Sequence, residues 1–260
     1  MRIRVFCVIL VCASLMDLKA GDLFAGLLAA SGRANASVAS VQLDRFVGKL
    51  DARDKSHEVS FLKMLFKKTH QQFLRHYVVH SDFGDLFQNG NYDCLTATAL
   101  FATLLDRFEY DYEIYETNYH IFLVVQTQQG KVLIESTDPI YGFESGEMAI
   151  EARLQSYLHA NEGKENTYQY QQDTFRSIEK TNLPGLLLFN QAVNAFNAND
   201  MVSATEKLIG ANRIYRAERN AELAALIIQR AAALKLDDVK QLQIQSALLK
   251  VLGRESFASR

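Results

Sequence analysis

The chain has 260 residues, 48% of them apolar and 22% charged, with only 2 prolines and 13 glycines. That balance excludes a globally disordered, collagen-like or linker-dominated polymer, and three cysteines are too few for a disulfide scaffold. A formal net charge of −2 gives no footprint for nucleic acid, and beyond residue 20 no apolar run reaches bilayer-spanning length.

Met1-Arg2-Ile3-Arg4 places two positive charges ahead of an apolar stretch from Val5 to Met16, and Ala20 is a small residue at a plausible cut site. Residues 1–20 therefore read as a secretory signal peptide, too short for a spanning helix. The expectation is export to the periplasm or the extracellular space. Cys7 and Cys12 would leave with the signal, so Cys94 is the lone cysteine of the mature chain. Such a thiol is an intermolecular link, a free nucleophile or a buried small hydrophobe.

Residues 21–89 are predicted helical. Val41, Phe46, Val47 and Leu50, then Phe61, Leu62, Leu65 and Phe66, recur at spacings of three and four, and Phe73, Leu74, Tyr77 and Val78 extend that face. His70, His76 and His80 lie at the end of this segment; only the last two share a helix face, and no acidic or cysteine partner stands at useful spacing. No phosphate loop or dinucleotide fingerprint occurs either, so neither metal nor cofactor is expected.

Residues 90–183 mix types, with a helix after Cys94 and strands at 112–116, 118–125 and 131–137. This segment holds 15 Asp/Glu against 6 Lys/Arg, which favours cationic or neutral partners through long-range steering. Residues 184–255 are predicted almost wholly helical. Ala192, Ala204, Leu208 and Ala211 let two antiparallel helices approach closely and resemble one tetratricopeptide unit, with residues 197–200 as the turn. Those helices either dock a protein partner or pack on the rest of the chain.

The chemistry-bearing residues lie in the middle segment. Residues 89–93 are turn formers and cap candidates, which puts Cys94 in the first turn of an apolar helix. Unpaired N–H groups and the positive helix end favour a thiolate there, and one N–H can act as an oxyanion donor. Gln128-Gln129-Gly130 reads as a three-residue hairpin loop. Closing it pairs Thr127 with Lys131 and sets His120 across from Asp138, about 5 Å apart between Cβ atoms, on the face of Phe122, Val124, Val132 and Ile134. A carboxylate that orients an imidazole, and an imidazole that deprotonates a thiol, form the apparatus of nucleophilic catalysis.

Three stretches carry a resemblance: residues 90–94 leading into the apolar helix, His120-Ile121-Phe122-Leu123-Val124, and Glu135-Ser136-Thr137-Asp138-Pro139. They resemble the core motifs of the transglutaminase-like superfamily, over about residues 85–145 and in the order Cys, His, Asp. The resemblance implies an α+β, papain-like core in which a nucleophile helix packs on an antiparallel sheet, preceded by helices and followed by an all-α region. It implies Cys94 as nucleophile, His120 as general base and acid, and Asp138 as orienting carboxylate. Gln88, six residues before Cys94, stands at the offset of the papain-type oxyanion glutamine; Tyr92 and Asn118 are lesser candidates. The chain has no tryptophan, and Glu109-Tyr110-Asp111-Tyr112 replaces the Pro-x-Arg segment common in relatives.

The organisation expected is a signal at 1–20, a transglutaminase-like domain at 21–183 and a helical, tetratricopeptide-like region at 184–260. The function expected is an exported cysteine enzyme attacking peptide or amide carbonyls through a thioester. The alternative is an inactive fold of the same type that binds a protein partner through its helical tail.

Overall fold

A computed structural model describes residues 22–32, 35–117, 120–159, 175–234 and 236–252; the expected signal peptide lies outside them. The protein is α+β, built on an antiparallel sheet. Three helices come first: α1 (Leu23–Ala30), α2 (Ala36–Asp51) and α3 (Glu58–Phe73). Helix α2 buries Ala39, Leu43, Phe46 and Leu50, one stripe at helical spacing, whereas Val41 is exposed.

The apolar run past Phe73 does not continue the helix. Leu74 ends it, the N–H groups of Arg75 and His76 donate to Gly90 O, and β1 (His76–Tyr77) pairs in parallel with β2 (Asn91–Tyr92). Tyr77 and Val78 are therefore exposed rather than part of the helical stripe. Gly90 has φ +78, and any side chain there would press on Arg75. Between these strands lies α4 (Asp85–Gln88).

Helix α5 (Cys94–Arg107) begins with a reciprocal cap: Thr96 N–H donates to Asp93 Oδ1 at 2.8 Å, and Asp93 N–H donates to Thr96 Oγ1 at 2.8 Å. Its residues from Leu95 to Leu105 are all buried. Strands β3 (Tyr112–Thr117), β4 (Ile121–Thr127), β5 (Gly130–Ile134) and β6 (Phe143–Ser145) follow, then α6 (Glu147–His159) and β7 (Phe175–Ile178). The sheet order is β6-β5-β4-β3-β7, antiparallel throughout.

The β4–β5 turn is one residue tighter than the sequence reading. Thr127 pairs with Gly130, and Gln126 with Lys131, leaving only Gln128 and Gln129 in the loop. Because strand side chains alternate, a slip of one residue regroups every pair. Ile121, Leu123, Val125, Val132 and Ile134 face the core containing α5, while Phe122, Val124 and Leu133 share the other face with Ile150 of α6.

A 3₁₀ turn at Lys180–Asn182 leads into α7 (Leu183–Asn197), α8 (Met201–Ile214), α9 (Glu218–Ala233) and α10 (Asp238–Leu252). Ala192, Ala204, Leu208 and Ala211 are buried where α7 and α8 meet, and Asn199 turns the chain at φ +60 before Asp200 caps α8. The division at residue 183 is not a packing boundary: Leu183, Leu186 and Leu187 belong to the core shared by α1 and α5, and only from Phe189 onward does α7 join a second core with α8 to α10. No helix among the described residues is long and apolar enough to cross a membrane.

Candidate active site

Three distant stretches converge at the start of α5 through buried hydroxyls. Thr98 Oγ1 donates to Ile121 O at 3.2 Å and lies 3.0 Å from Ser136 Oγ, which donates to Cys94 O at 3.4 Å. Thr98 and Ser136 are inaccessible to solvent, so these bonds compete with no water and fix the helix start against β4 and the exit of β5. Cys94 is thus held beside the residues that flank His120 and Glu135. Cys94 is a free cysteine, partly exposed as a residue but with its sulfur largely withdrawn from solvent.

The carboxylate paired with His120 is Glu135. Its Oε2 is bonded to His120 Nε2 and accepts from the Tyr157 hydroxyl at 3.0 Å. Its Oε1 accepts from Thr137 N–H at 2.9 Å and from the Thr137 hydroxyl at 2.5 Å. Burial works against the charged form of Glu135, but the His120 ring and the Thr137 donors outweigh it and hold the carboxyl below its ordinary value. Asp138, expected in this role, is placed otherwise: its Oδ1 accepts from the N–H groups of Ile140 and Tyr141 and shapes the turn after β5. The tighter hairpin accounts for the loss of Asp138: continued past Leu123–Ile134, the observed register brings odd-numbered residues such as Glu135 to the face of His120 and turns even-numbered ones away.

Glu135 is also fixed through its backbone. Its N–H donates to Gly142 O at 2.7 Å, and Gly142 N–H donates to Asp138 O at 2.9 Å. A Cβ on Gly142 would overlap the carbonyl oxygens of Glu135 and Asp138, so only glycine lets this loop close.

Cys94 and His120 line one cavity of about 490 Å³. The start of α5, the end of β3 and Tyr77 form one side; α7 and α9 form the other, with Phe189, Asn190 and Arg219 among the lining residues. Gln88 is exposed at the end of α4 and does not line this cavity, so it is not positioned as an oxyanion donor. Tyr92 packs edge-on against Tyr77 at 5.7 Å between ring centroids, and Asn118 lies outside the described residues. The sequence reading took Tyr77 only as part of a helix face; it lines the cavity, and its ionisation is opposed by partial burial and by nearby negative charge such as Asp93. That reading passed over Tyr157, which shows no motif and reaches Glu135 only because α6 covers the outer face of the sheet.

The electrostatics do not favour a resting thiolate. Burial and then the anions Asp93 and Glu135 push the Cys94 thiol up to about 12, against the smaller opposing pull of the Leu95 and Cys94 N–H groups. The helix-end stabilisation expected from the sequence is present but outweighed. No hydrogen bond joins Cys94 Sγ to His120 among the described residues. His70, behind the site against Phe66 and Phe101, is held neutral, its pKa lowered to about 4 by burial. Among the described residues no group of three or more His, Cys, Asp and Glu side chains is arranged to hold a metal ion. No family model, curated protein or solved structure matches the chain.

Proposed function

We propose that the protein is a cysteine enzyme of transglutaminase-like type, with a papain-like core, acting after export on peptide or amide carbonyls. Cys94 is the nucleophile, His120 the general base and acid, and Glu135 the carboxylate that orients the imidazole. The observation that carries this reading is that Cys94 and His120 line one cavity while Glu135 holds the ring by Nε2. In the neutral ring, an Nε2–H donated to Glu135 leaves Nδ1 as the acceptor for the thiol proton.

The sulfur attacks the carbonyl carbon as its proton passes to His120 Nδ1. The carbonyl oxygen becomes an oxyanion, for which the first N–H groups of α5 and the Tyr77 hydroxyl, both on the cavity wall, are the proposed donors. The C–N bond then breaks, His120 returns the proton to the leaving amine, and a thioester remains on Cys94. Water or a second amine releases it. Because the thiol is protonated at rest, deprotonation accompanies attack rather than preceding it.

The elevated thiol pKa and the missing Cys94–His120 hydrogen bond also favour a second reading, an inactive fold serving as a binding module. Turnover of p-nitrophenyl acetate separates the two. The enzyme reading requires an acetyl group on Cys94, found by peptide mass mapping, and its release to water or hydroxylamine. Acylation should fall at least about 100-fold in His120→Ala, the usual scale of general-base catalysis. An unacylated Cys94, or acylation indifferent to His120, refutes the enzyme reading.

A further inference from the structure

The cavity beside Cys94 is uneven in charge. Its acids are Asp93, Glu116 and Glu222, and its arginine is Arg219. Glu116 is fully engaged: Arg219 Nη2 bonds its Oε1, while Arg176 Nε at 3.1 Å and the Tyr215 hydroxyl at 2.7 Å bond its Oε2. Asp93 caps α5 through Thr96 and accepts from Asn190 Nδ2 at 3.4 Å. Glu222 differs from both. It lies one turn along α9 from Arg219, it lines the cavity, and its Oε2 is buried with no hydrogen-bond partner.

Glu222 is partly exposed where it lines the cavity. Its enclosed Oε2, which a turn of the side chain would bring to the cavity, lacks the donor that a withdrawn carboxylate oxygen calls for. Arg219 does not supply it: its guanidinium is paired with Glu116 and lies over the Phe189 ring. The same wall presents Phe189, Val193, Leu223 and Leu226, apolar surface suited to the methylene stem of a long basic side chain. A cavity of about 490 Å³ has room for such a side chain together with the backbone that leads to the sulfur.

We propose that Glu222 is a specificity residue that receives the ammonium or guanidinium of a Lys or Arg side chain on a peptide substrate. The proposal rests on Cys94 as the reactive group only for where the substrate's carbonyl goes; the cation site itself is separable. It is tested first by binding. In a Cys94→Ala protein, N-acetyl-lysinamide and its uncharged analogue N-acetyl-norleucinamide are titrated by NMR or calorimetry.

The lysine compound should bind at least about ten-fold more tightly, the scale of one charge-assisted hydrogen bond, and the ratio should collapse toward one in Cys94→Ala/Glu222→Gln. Equal binding of the two compounds, or a preference that survives Glu222→Gln, overturns the proposal. The first comparison needs no variant at Glu222, so equal binding overturns the proposal even where Glu222→Gln folds poorly. A lysine preference that depends on Glu222, found together with a Cys94 that p-nitrophenyl acetate never acylates, supports the cation site and overturns the nucleophile.

Discussion

The acids flanking Cys94 set a reactivity that can be calculated. The thiol is pushed from an ordinary 9.0 to about 12, first by burial and then by Asp93 and Glu135. At pH 8 that displacement lowers the thiolate fraction about 1,000-fold relative to an unperturbed cysteine. A more basic thiolate is a better nucleophile, and a Brønsted slope of about 0.4–0.5 recovers roughly 16- to 32-fold. Exchange with a neutral disulfide such as 2,2′-dipyridyl disulfide should therefore run about 30- to 60-fold slower at Cys94 in the folded protein than in denaturant.

Asp93→Asn removes the nearer anion while keeping the helix cap, because asparagine caps as well as aspartate. Exchange in the folded state should then accelerate about three- to four-fold for each pKa unit removed. Rates are followed by quenching and mapping the modified Cys94 peptide, so that Cys7 and Cys12 do not contribute. A folded-state rate that reaches a plateau near neutral pH would reveal a preformed thiolate. That result, or slower exchange in Asp93→Asn, would refute the electrostatic argument and with it the coupling of deprotonation to attack.

Glu135→Gln removes the charge that orients His120, a hydrogen bond of about 1.5–3 kcal/mol, and should slow p-nitrophenyl acetate turnover about 10- to 150-fold. Asp138→Asn keeps the turn and should change turnover less than about three-fold, within the spread of surface substitutions; equal losses in the two variants would return Asp138 to the catalytic role. Gly142→Ala forces its Cβ into two backbone carbonyls, and the urea midpoint should report a loss of about 2–3 kcal/mol. Glu135 has a folded pKa below its ordinary 4.5, so its contribution to stability is complete above that value and is lost as pH falls through the folded one. Between pH 6 and 3 the urea midpoint should fall more steeply in the wild-type chain than in Glu135→Gln, and identical slopes would contradict the shift.

Cys94 at a capped helix start was legible because capping chemistry is local: turn formers, Asp93 and an apolar run all lie within a dozen residues. The strands were legible for the same reason, through their β-branched and aromatic runs. The identity of the carboxylate was not, because it depends on one residue of hairpin register. Gln128-Gln129-Gly130 is compatible with a loop of two or three residues, and the difference decides whether odd-numbered residues such as Glu135 or even-numbered ones such as Asp138 share the face of the ring. Tyr157 and Glu222 were hidden for another reason. Both lie on helices whose sequences carry no motif, and only the packing of α6 and α9 gives them a role.

The same packing shows why the C-terminal helices belong to the site. Leu183, Leu186 and Leu187 of α7 fill the core beneath α5, so the helical region cannot be lifted off without opening that core. Helix α9 reaches the histidine by a shorter path. Arg219 holds Glu116, the residue before Thr117, and Thr117 N–H donates to His120 O at 2.8 Å. Glu116 is buried, and releasing it would leave a carboxylate without its counter-charges inside the protein. The seating of α9 therefore constrains the strand end that presents His120, while Glu222 on the same helix faces the cavity that the histidine serves. The proposed cation site and the strand end that presents the imidazole are thus tied to a single helix.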